Sequence, residues 1–260
     1  MRKVLQVAAA AALLGVGSAA SAVEIGGLTL PNEGGVFAVA QIYENTPTAV
    51  GQILRGYGEV DSINSIAVSS LCSGCELTYR FDGYQVTSLT ATDIRFTGGV
   101  INFYLGFGAQ NDFTTSNPGG SAGDLAEATN GTLFLTLVGH SIDAAGNTFA
   151  GTGINIGTIA PAGTGSGLAD VNMAGGGIAN AFFNTNSVPA SFGGPADFLI
   201  TSSFSPLFVP YPNECPAGPA CLSGSADMRG SIAPIPEPET YALMLAGLGA
   251  LGFVARRRRR

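Results

Sequence analysis

The chain has 260 residues, of which 46% are hydrophobic, and its formal net charge at pH 7 is −7. The charge is unevenly distributed, because residues 23–235 hold 16 of the 18 acidic residues but only four arginines and no lysine, and the other basic residues lie at the two ends. Phosphate binding requires clustered lysine and arginine, so the acidic centre excludes a nucleic-acid-binding protein.

The N-terminus has the three parts of an export signal. Arg2 and Lys3 form a short basic region, residues 4–15 are uncharged and mostly apolar, and Ala20 and Ala22 are small residues at the positions that signal peptidase requires. The apolar stretch is short and ends in small residues, which argues against a buried or membrane-spanning helix. We therefore predict a signal peptide over residues 1–22, with cleavage after Ala22.

Four cysteines follow in the exported part, where disulfides are permitted. Four cysteines allow three pairings, and the spacing favours two local ones, Cys72 with Cys75 and Cys215 with Cys221. The second pair encloses five residues, more than the two to four that are usual in structural zinc sites. The residues after Cys75 alternate like a strand, which favours a structural disulfide over a redox-active pair at a helix N-terminus.

The centre of the chain has the pattern of an all-β domain. Stretches that alternate with a period of two, or that form short apolar runs bounded by glycine, predict strands at residues 36–43, 51–60, 76–81, 84–89, 93–96, 100–107, 132–138, 153–159 and 197–204. Asp82-Gly83 and Gly98-Gly99 have the composition of tight turns, so each predicts a hairpin. The absence of a helical crossover pattern favours an antiparallel sandwich or jelly roll over other β folds, and the lack of a constant-length repeat disfavours a parallel β-helix.

The segments between these strands are rich in Gly, Ser, Asn or Pro. They predict loops at residues 115–124, 144–151, 160–167, 184–196 and 205–218. Only residues 167–183 could form a helix, which Gly175, Gly176 and Gly177 would interrupt. Residues 205–218 and 231–235 are predicted to tether the domain to the C-terminal tail.

The exported part offers few residues for catalysis. His140 is the only histidine of the chain, so any Ser-His-Asp or Cys-His site would need it. We interpret it as a strand-end histidine that is exposed or bonded to a carbonyl. A glycosidase needs only two carboxylates, and no motif marks such a pair among the acids. We predict that the protein is not an enzyme and has no catalytic residue, resident metal or cofactor.

Two groups of side chains could nevertheless bind small partners. Four acids in or near polar loops could bind Ca²⁺ through oxygen, although their spacing matches no EF-hand: Asp112, Asp124, Glu127 and Asp143. Four tyrosines could stack on sugar rings, and core packing is the alternative for most of them: Tyr57, Tyr79, Tyr84 and Tyr104.

The C-terminus consists of three blocks that differ in backbone conformation, hydrophobicity and charge. Pro236 and Pro238 flank Glu237 in a segment that cannot form a regular helix or a central strand. Residues 241–255 are apolar and would span about 22 Å as a helix, less than the ~30 Å of a hydrocarbon core. The chain then ends in five arginines, which resist translocation: Arg256, Arg257, Arg258, Arg259 and Arg260. The signal peptide would start transfer and this tail would stop it in the inner membrane.

This tail resembles the PEP-CTERM sorting signal of exported Gram-negative proteins, which combines a Pro-Glu-Pro motif, a short membrane helix and a terminal arginine cluster. The resemblance implies recognition by an exosortase-type membrane transpeptidase, cleavage near Pro236-Glu237-Pro238 and transfer to the cell surface or extracellular polysaccharide. The alternative is a plain C-terminal anchor that is never cleaved. The domains are then the signal peptide (1–22), the β-rich exported domain (23–235) and the sorting tail (236–260).

Three segments of the body resemble the flocculation-associated PEP-CTERM protein family: residues 72–79, 131–140 and 196–205. This resemblance implies a non-catalytic role in binding cells to one another through extracellular polysaccharide. The sequence leaves two alternatives open, a carbohydrate-binding module and a secreted carboxylate-based glycoside hydrolase.

Overall fold

A computed structural model describes residues 22–31, 34–114, 120–206, 221–233, 245–248 and 256. It contains twelve strands: β1 (Ala22–Ile25), β2 (Leu28–Pro31), β3 (Gly34–Asn45), β4 (Ile53–Ile63), β5 (Ile66–Ala67), β6 (Cys75–Leu89), β7 (Asp93–Phe107), β8 (Thr132–His140), β9 (Phe149–Ile154), β10 (Ala162–Val171), β11 (Phe198–Pro206) and β12 (Cys221–Ile232). The helices are short: α1 (Val68–Leu71), α2 (Gly120–Glu127) and α3 (Asn180–Phe183), with 3₁₀ turns at Gly108–Gln110 and Met173–Gly175.

Eight of these strands form one closed, barrel-like antiparallel sheet. The order is β11-β12-β3-β4-β6-β7-β8-β10, and β10 pairs again with β11, so that the sheet returns to its first strand. β9 fills the gap beyond the end of β8, because it pairs with β10 on one side and with the start of β7 on the other. An eight-stranded closed sheet has an interior just wide enough to be filled by side chains or to hold one small ligand.

The inward face of the sheet carries the hydrophobic core. β3 shows why: its buried and partly exposed positions alternate, and the inward ones are Val36, Ala38, Ala40 and Ile42. Aromatic rings from β6, β7 and β9 continue the wall in a series of ring–ring contacts with centroids between 5.6 and 6.4 Å apart, Phe103–Tyr79–Phe81–Tyr84–Phe149–Phe96. Offset and edge-on contacts of this kind stabilise beyond the area that they bury.

The two ends of the sheet are covered differently. The β1–β2 hairpin covers one end and buries Ile25, Leu28 and Leu30. The α1 segment lies at the same end and leads into β6. The other end is crossed by the segments that contain Pro47 and Ile156, and Ile156 is buried there.

The all-β, antiparallel prediction is confirmed, but the predicted sandwich or jelly roll is replaced by a single closed sheet. The difference arises from β10 and β12, which close the sheet with β11 and which the sequence pattern did not predict. Their residues are mostly Gly, Ser and Ala, so they lack the β-branched and aromatic residues typical of strands.

Both predicted hairpins are wrong. β6 runs straight through Asp82-Gly83 and β7 straight through Gly98-Gly99, and these glycine positions lie opposite each other in the β6–β7 pair. The positive φ values of Gly83 (79°), Gly98 (74°) and Gly99 (92°) bend two continuous strands at this point. A Cβ on Gly99 would overlap the ring of Tyr84, so glycine leaves the space that this ring occupies.

Further predictions on the chain's organisation are corrected in detail. The predicted helix at 167–183 is instead the end of β10, the Met173–Gly175 turn and the short α3. The predicted loop at 115–124 overlaps α2, and the predicted tether at 231–235 overlaps β12. Residues 1–21, the predicted signal peptide up to Ser21, lie outside the described residues.

The C-terminal tail is described only at residues 245–248, which are helical and exposed, and at Arg256. Within the described residues, no helix is both long and apolar enough to cross a membrane. Pro236, Glu237, Pro238 and Arg257 to Arg260 lie outside the described residues, so the predicted membrane helix remains a prediction.

Candidate functional site

The interior of the closed sheet contains three adjoining cavities. They measure about 60, 40 and 40 Å³. The first two share Glu44, Leu54, Phe149 and Ser202 in their walls, and the third adjoins the first through Tyr79 and Ile101. They therefore form one string of spaces along the inside of the sheet, which we call the inner cavity.

Glu44 is the acidic side chain of the inner cavity's first two compartments. It follows Ile42 on the inward face of β3, where it lies between Gly56 of β4 and Leu222 of β12, and it is only 6% exposed. Burial raises the pKa of its carboxyl to about 8, so the group is mostly protonated at neutral pH. Among the described residues, no hydrogen-bond or ion-pair partner of this carboxyl is found.

The two tyrosines of the inner cavity are also neutral. Tyr79 donates its hydroxyl to the carbonyl of Gln41, and burial, together with the nearby Glu44, raises its pKa well above the ordinary value. Burial likewise raises the pKa of Tyr84. A Cβ at Gly58 would collide with both the Gln41 carbonyl and the Tyr79 hydroxyl. Glycine at this position therefore leaves room for the hydrogen bond between them. The first two compartments of the inner cavity are therefore mostly apolar, and Glu44, Tyr79 and Tyr84 are among their uncharged polar groups at neutral pH.

The tyrosines considered for sugar stacking are mostly inside. Tyr57, Tyr79 and Tyr84 are at most 5% exposed, whereas Tyr104 is half-buried on the outer face of β7. Their principal role is core packing, the alternative that the sequence left open.

A second concave surface lies outside the sheet, across β9 to β12. It has a volume of about 470 Å³ and is lined mainly by hydroxyl groups, with one carboxyl group, from Thr152, Thr164, Ser166, Thr201, Ser203, Ser225 and Asp227. We call it the hydroxyl groove. Strand register brings these side chains together, since Thr164 pairs with both Thr152 and Ser203, and Thr201 pairs with Ser166 and Asp227. The Oγ atoms of Ser203 and Ser225 are 3.0 Å apart.

The segment that contains α2 packs on the outer face of β4, β6 and β7 and buries acids beneath it. Tyr57 donates its hydroxyl to Asp124 over 3.1 Å, and the amide of Phe113 donates to Glu76 over 2.9 Å. Burial raises the pKa of Glu76 to about 7; the Phe113 amide lowers it, and Glu59 and Asp112 raise it further. These acids are held within the protein rather than presented to solvent.

The four acids considered for Ca²⁺ do not converge. Asp112, Asp124 and Glu127 lie near the start of β8, whereas Asp143 follows its end and accepts from the amides of Ala145 and Asn147. Within the part of the chain that the structure describes, no cluster of three or more His, Cys, Asp or Glu residues is placed to hold a metal ion.

His140 ends β8 and is 5% exposed. Its Nδ1 lies 2.7 Å from Oδ2 of Asp170, and its Nε2 lies 2.8 Å from the carbonyl oxygen of Phe192. Burial lowers its pKa, but the hydrogen bonds to Asp170 and Phe192 and the charge of Asp170 raise the pKa overall. The structure thus agrees with a carbonyl-bonded strand-end histidine, and it adds a carboxylate partner that the sequence did not reveal.

Cys72 and Cys75 form a disulfide with their Cα atoms 5.8 Å apart, at the turn between α1 and β6. Cys221 begins β12, and Cys215 lies outside the described residues, so their pairing stays a prediction. Ala22 begins β1, and Ala20 lies outside the described residues.

Sequence reasoning missed Glu44, Asp170 and the hydroxyl groove. Glu44 had a readable signal, because it continues the inward positions of the predicted strand at 36–43 by one further step of two. The hydroxyl groove had none, since its residues come from four strands, of which β10 and β12 lack a recognisable strand pattern.

The comparisons with known proteins place one feature of the chain. Residues 234–260 match the family model of the PEP-CTERM protein-sorting motif. Neither the curated proteins nor the solved structures gave a significant match.

Proposed function

We propose that this chain, whose C-terminus is a PEP-CTERM sorting motif, is a non-catalytic protein of the cell surface or extracellular matrix that acts in polysaccharide-associated cell aggregation. The motif implies an exported protein that is processed by signal peptidase and an exosortase. The match at residues 234–260 is the observation that carries the proposal. The surface destination is inferred from the resemblance of the tail, and the polysaccharide partner from the resemblances of the tail and of the body segments.

The hydroxyl groove supports a polysaccharide partner, and the acidic charge of the body is compatible with one. Hydroxyl groups on neighbouring strands offer donors and acceptors at the regular spacing of paired strands, which suits the hydroxyls of a sugar chain. The acidic body repels an anionic polysaccharide unless divalent cations intervene. Aggregation is therefore expected to weaken when EDTA removes divalent cations, and unchanged aggregation in EDTA would contradict cation bridging.

The geometry of His140 supports the non-catalytic part of the proposal. A general base needs a free ring nitrogen that faces its substrate. Both nitrogens of His140 are engaged, one by Asp170 and one by the Phe192 carbonyl. A Ser-His-Asp or Cys-His reaction at this residue would first have to break one of these bonds.

The proposal is tested in a strain that lacks the gene and is complemented with variants of the full chain. The wild-type gene is expected to restore cell aggregation, measured by sedimentation, while a Pro236→Ala, Glu237→Ala, Pro238→Ala variant is expected not to restore it although the protein is made. Aggregation that is restored equally by the tail variant would overturn the sorting role. A Thr29→Val variant, changed on β2 away from the hydroxyl groove, is the matched control.

A carbohydrate-binding module is the second candidate, favoured by the hydroxyl groove. Replacing Thr152, Thr164 and Thr201 by valine removes three hydroxyls while keeping side-chain shape and strand propensity. If the groove binds sugar, the triple variant should lose saturable binding to the host's own polysaccharide, while Thr29→Val keeps it. Equal binding by both variants would exclude the groove as the binding site.

A further inference from the structure

The inner cavity and the isolated carboxyl of Glu44 together point to a ligand site. We propose that the inner cavity binds one small apolar molecule that carries a hydroxyl group, with the hydroxyl at Glu44 and Ser202 and the apolar part along the aromatic wall. The site lies inside the closed sheet and does not involve the sorting tail, and Ser202 lines both this site and the hydroxyl groove.

Glu44 is a buried side chain whose carboxyl lacks a hydrogen-bond partner among the residues that the structure describes. A buried polar group without a hydrogen-bond partner is costly, and natural proteins rarely keep one without a reason. Glu44 is 94% buried, faces the inner cavity and has no hydrogen-bond or ion-pair partner within the described part of the chain. A ligand group at this position would supply the missing partner.

The walls of the compartments around Glu44 are mostly apolar. The first compartment is walled by Leu54, Phe81, Tyr84, Ile101 and Phe149, so most of a bound molecule would contact hydrocarbon or ring carbon. Ser202 lines the same two compartments as Glu44 and lies on β11, which is separated from β3 by β12 alone. The polar contacts are thus concentrated on one side of an apolar space.

The chemistry of Glu44 decides which polar group the ligand carries. A carboxyl that is neutral at pH 7 can both donate and accept, which is what a hydroxyl group requires of its partner. A cation would have to leave water and ionise Glu44 in the first two compartments, where Glu44 is the one acidic side chain among the described lining residues, and the desolvation of such a buried ion pair can cost more than the pair returns. A carboxylate ligand would be repelled by Glu44 once this side chain loses its proton, which happens at a pH only slightly above neutral.

The size of the cavity limits the length of the ligand. One water needs roughly 10–15 Å³ of such space, so a compartment of about 60 Å³ corresponds to roughly four to six water-sized positions. A six-carbon chain with a terminal hydroxyl fits this compartment and its neighbour. Pro47, Gly157 and Pro161 line the second compartment at the end of the sheet that their segments cross.

The test uses the purified full-length protein and 1-hexanol as probe, followed by NMR chemical-shift changes. Saturable shifts of residues that line the inner cavity are expected. Cyclohexane, which lacks a hydroxyl, is expected to bind at least about fivefold more weakly than 1-hexanol. Equal affinity of the two probes, or no saturable binding of 1-hexanol, would overturn the proposal without the use of any variant.

Variants then locate the hydroxyl. Glu44→Gln keeps a donor and an acceptor and should bind 1-hexanol within about threefold of wild type, whereas Glu44→Leu should bind it about tenfold more weakly. Wild-type-like binding by Glu44→Leu would contradict the assignment. Tighter binding of hexylamine than of 1-hexanol, accompanied by proton release, would replace the neutral ligand by a cation and overturn the proposal, and so would preferred binding of hexanoate.

Discussion

Nδ1 of His140 lies 2.7 Å from Oδ2 of Asp170, while Nε2 of the same ring lies 2.8 Å from the carbonyl oxygen of Phe192. A carboxylate and a carbonyl oxygen can only accept, so a ring that satisfies both must carry a proton on each nitrogen. The two bonds therefore favour the imidazolium form and fix the ring between β8, β10 and the loop at Phe192.

This relationship predicts the titration of His140. Its folded pKa should lie above the ordinary value of about 6.5, and Asp170→Asn should lower it, because the ring then loses its charged partner. NMR measures the value without ambiguity, since the chain contains one histidine. Asp61→Asn on β4, whose side chain bonds Gln41 instead, is the control and should leave the His140 pKa unchanged.

The same pair predicts a pH-dependent stability. A raised folded pKa means that the His140–Asp170 contribution is fully present below about pH 6.5 and is lost as the pH rises through the folded pKa. The difference in unfolding free energy between wild type and Asp170→Asn should therefore be larger at pH 5.5 than at pH 9. A difference that does not change across this range would show that the ring is neutral.

Glu44 predicts a second loss of stability with rising pH, in the same direction as that of His140. Its folded pKa of about 8 lies above its ordinary value, and the charged form is the one that burial disfavours, so the wild type loses stability as the pH rises from about 4.5 to 8. Glu44→Gln should remove this loss and be more stable than wild type at pH 9 by several kcal/mol, on the order of 4. Below pH 4.5 the two proteins should differ little. Urea unfolding at several pH values measures the unfolding free energies of wild type and Glu44→Gln. A difference between the two that stays constant with pH would refute a buried carboxyl without a partner.

Gly58 is predicted to be irreplaceable for a steric reason. A Cβ there would collide with the Gln41 carbonyl and the Tyr79 hydroxyl, so Gly58→Ala should destabilise the protein by roughly 2–3 kcal/mol. Gly35→Ala is a matched control on the neighbouring strand β3, where the nearest atom to a new Cβ, the Gly230 carbonyl oxygen, is 4.0 Å away. It should change the unfolding free energy by less than about 1 kcal/mol, in the stabilising direction. Similar effects of the two substitutions would contradict the packing described for Tyr79.

The sequence predicted the class of the fold because alternation with a period of two survives in the strands that face the core. It could not predict closure, because β10 and β12 consist largely of small residues. Gly165 and Gly167 in β10 show the cause: each would overlap the Phe149 ring if it carried a Cβ, so the ring replaces side chains that would otherwise mark a strand. The composition of β10 therefore reflects its contact with the Phe149 ring on another strand, and the sequence pattern of β10 alone does not reveal this contact.

The candidate sites were predictable to different degrees. The sorting tail is a local motif and was readable in full, and the matched family model confirms it. The hairpin predictions at Gly83 and Gly98-Gly99 were wrong because glycine with a positive φ occurs at bends within a strand as well as in hairpin turns. The partner of His140 is 30 residues away in sequence, and only the β8–β10 pairing brings it close.

The central claim is that the C-terminal motif is a detachable sorting signal. Intact mass spectrometry of the protein released from the outer cell surface tests it most directly. The account predicts a form that begins at Val23, ends close to Pro236-Glu237-Pro238 and lacks the five terminal arginines, with any attached group adding to that mass. A surface-exposed form that still carries Arg256 to Arg260 would contradict it.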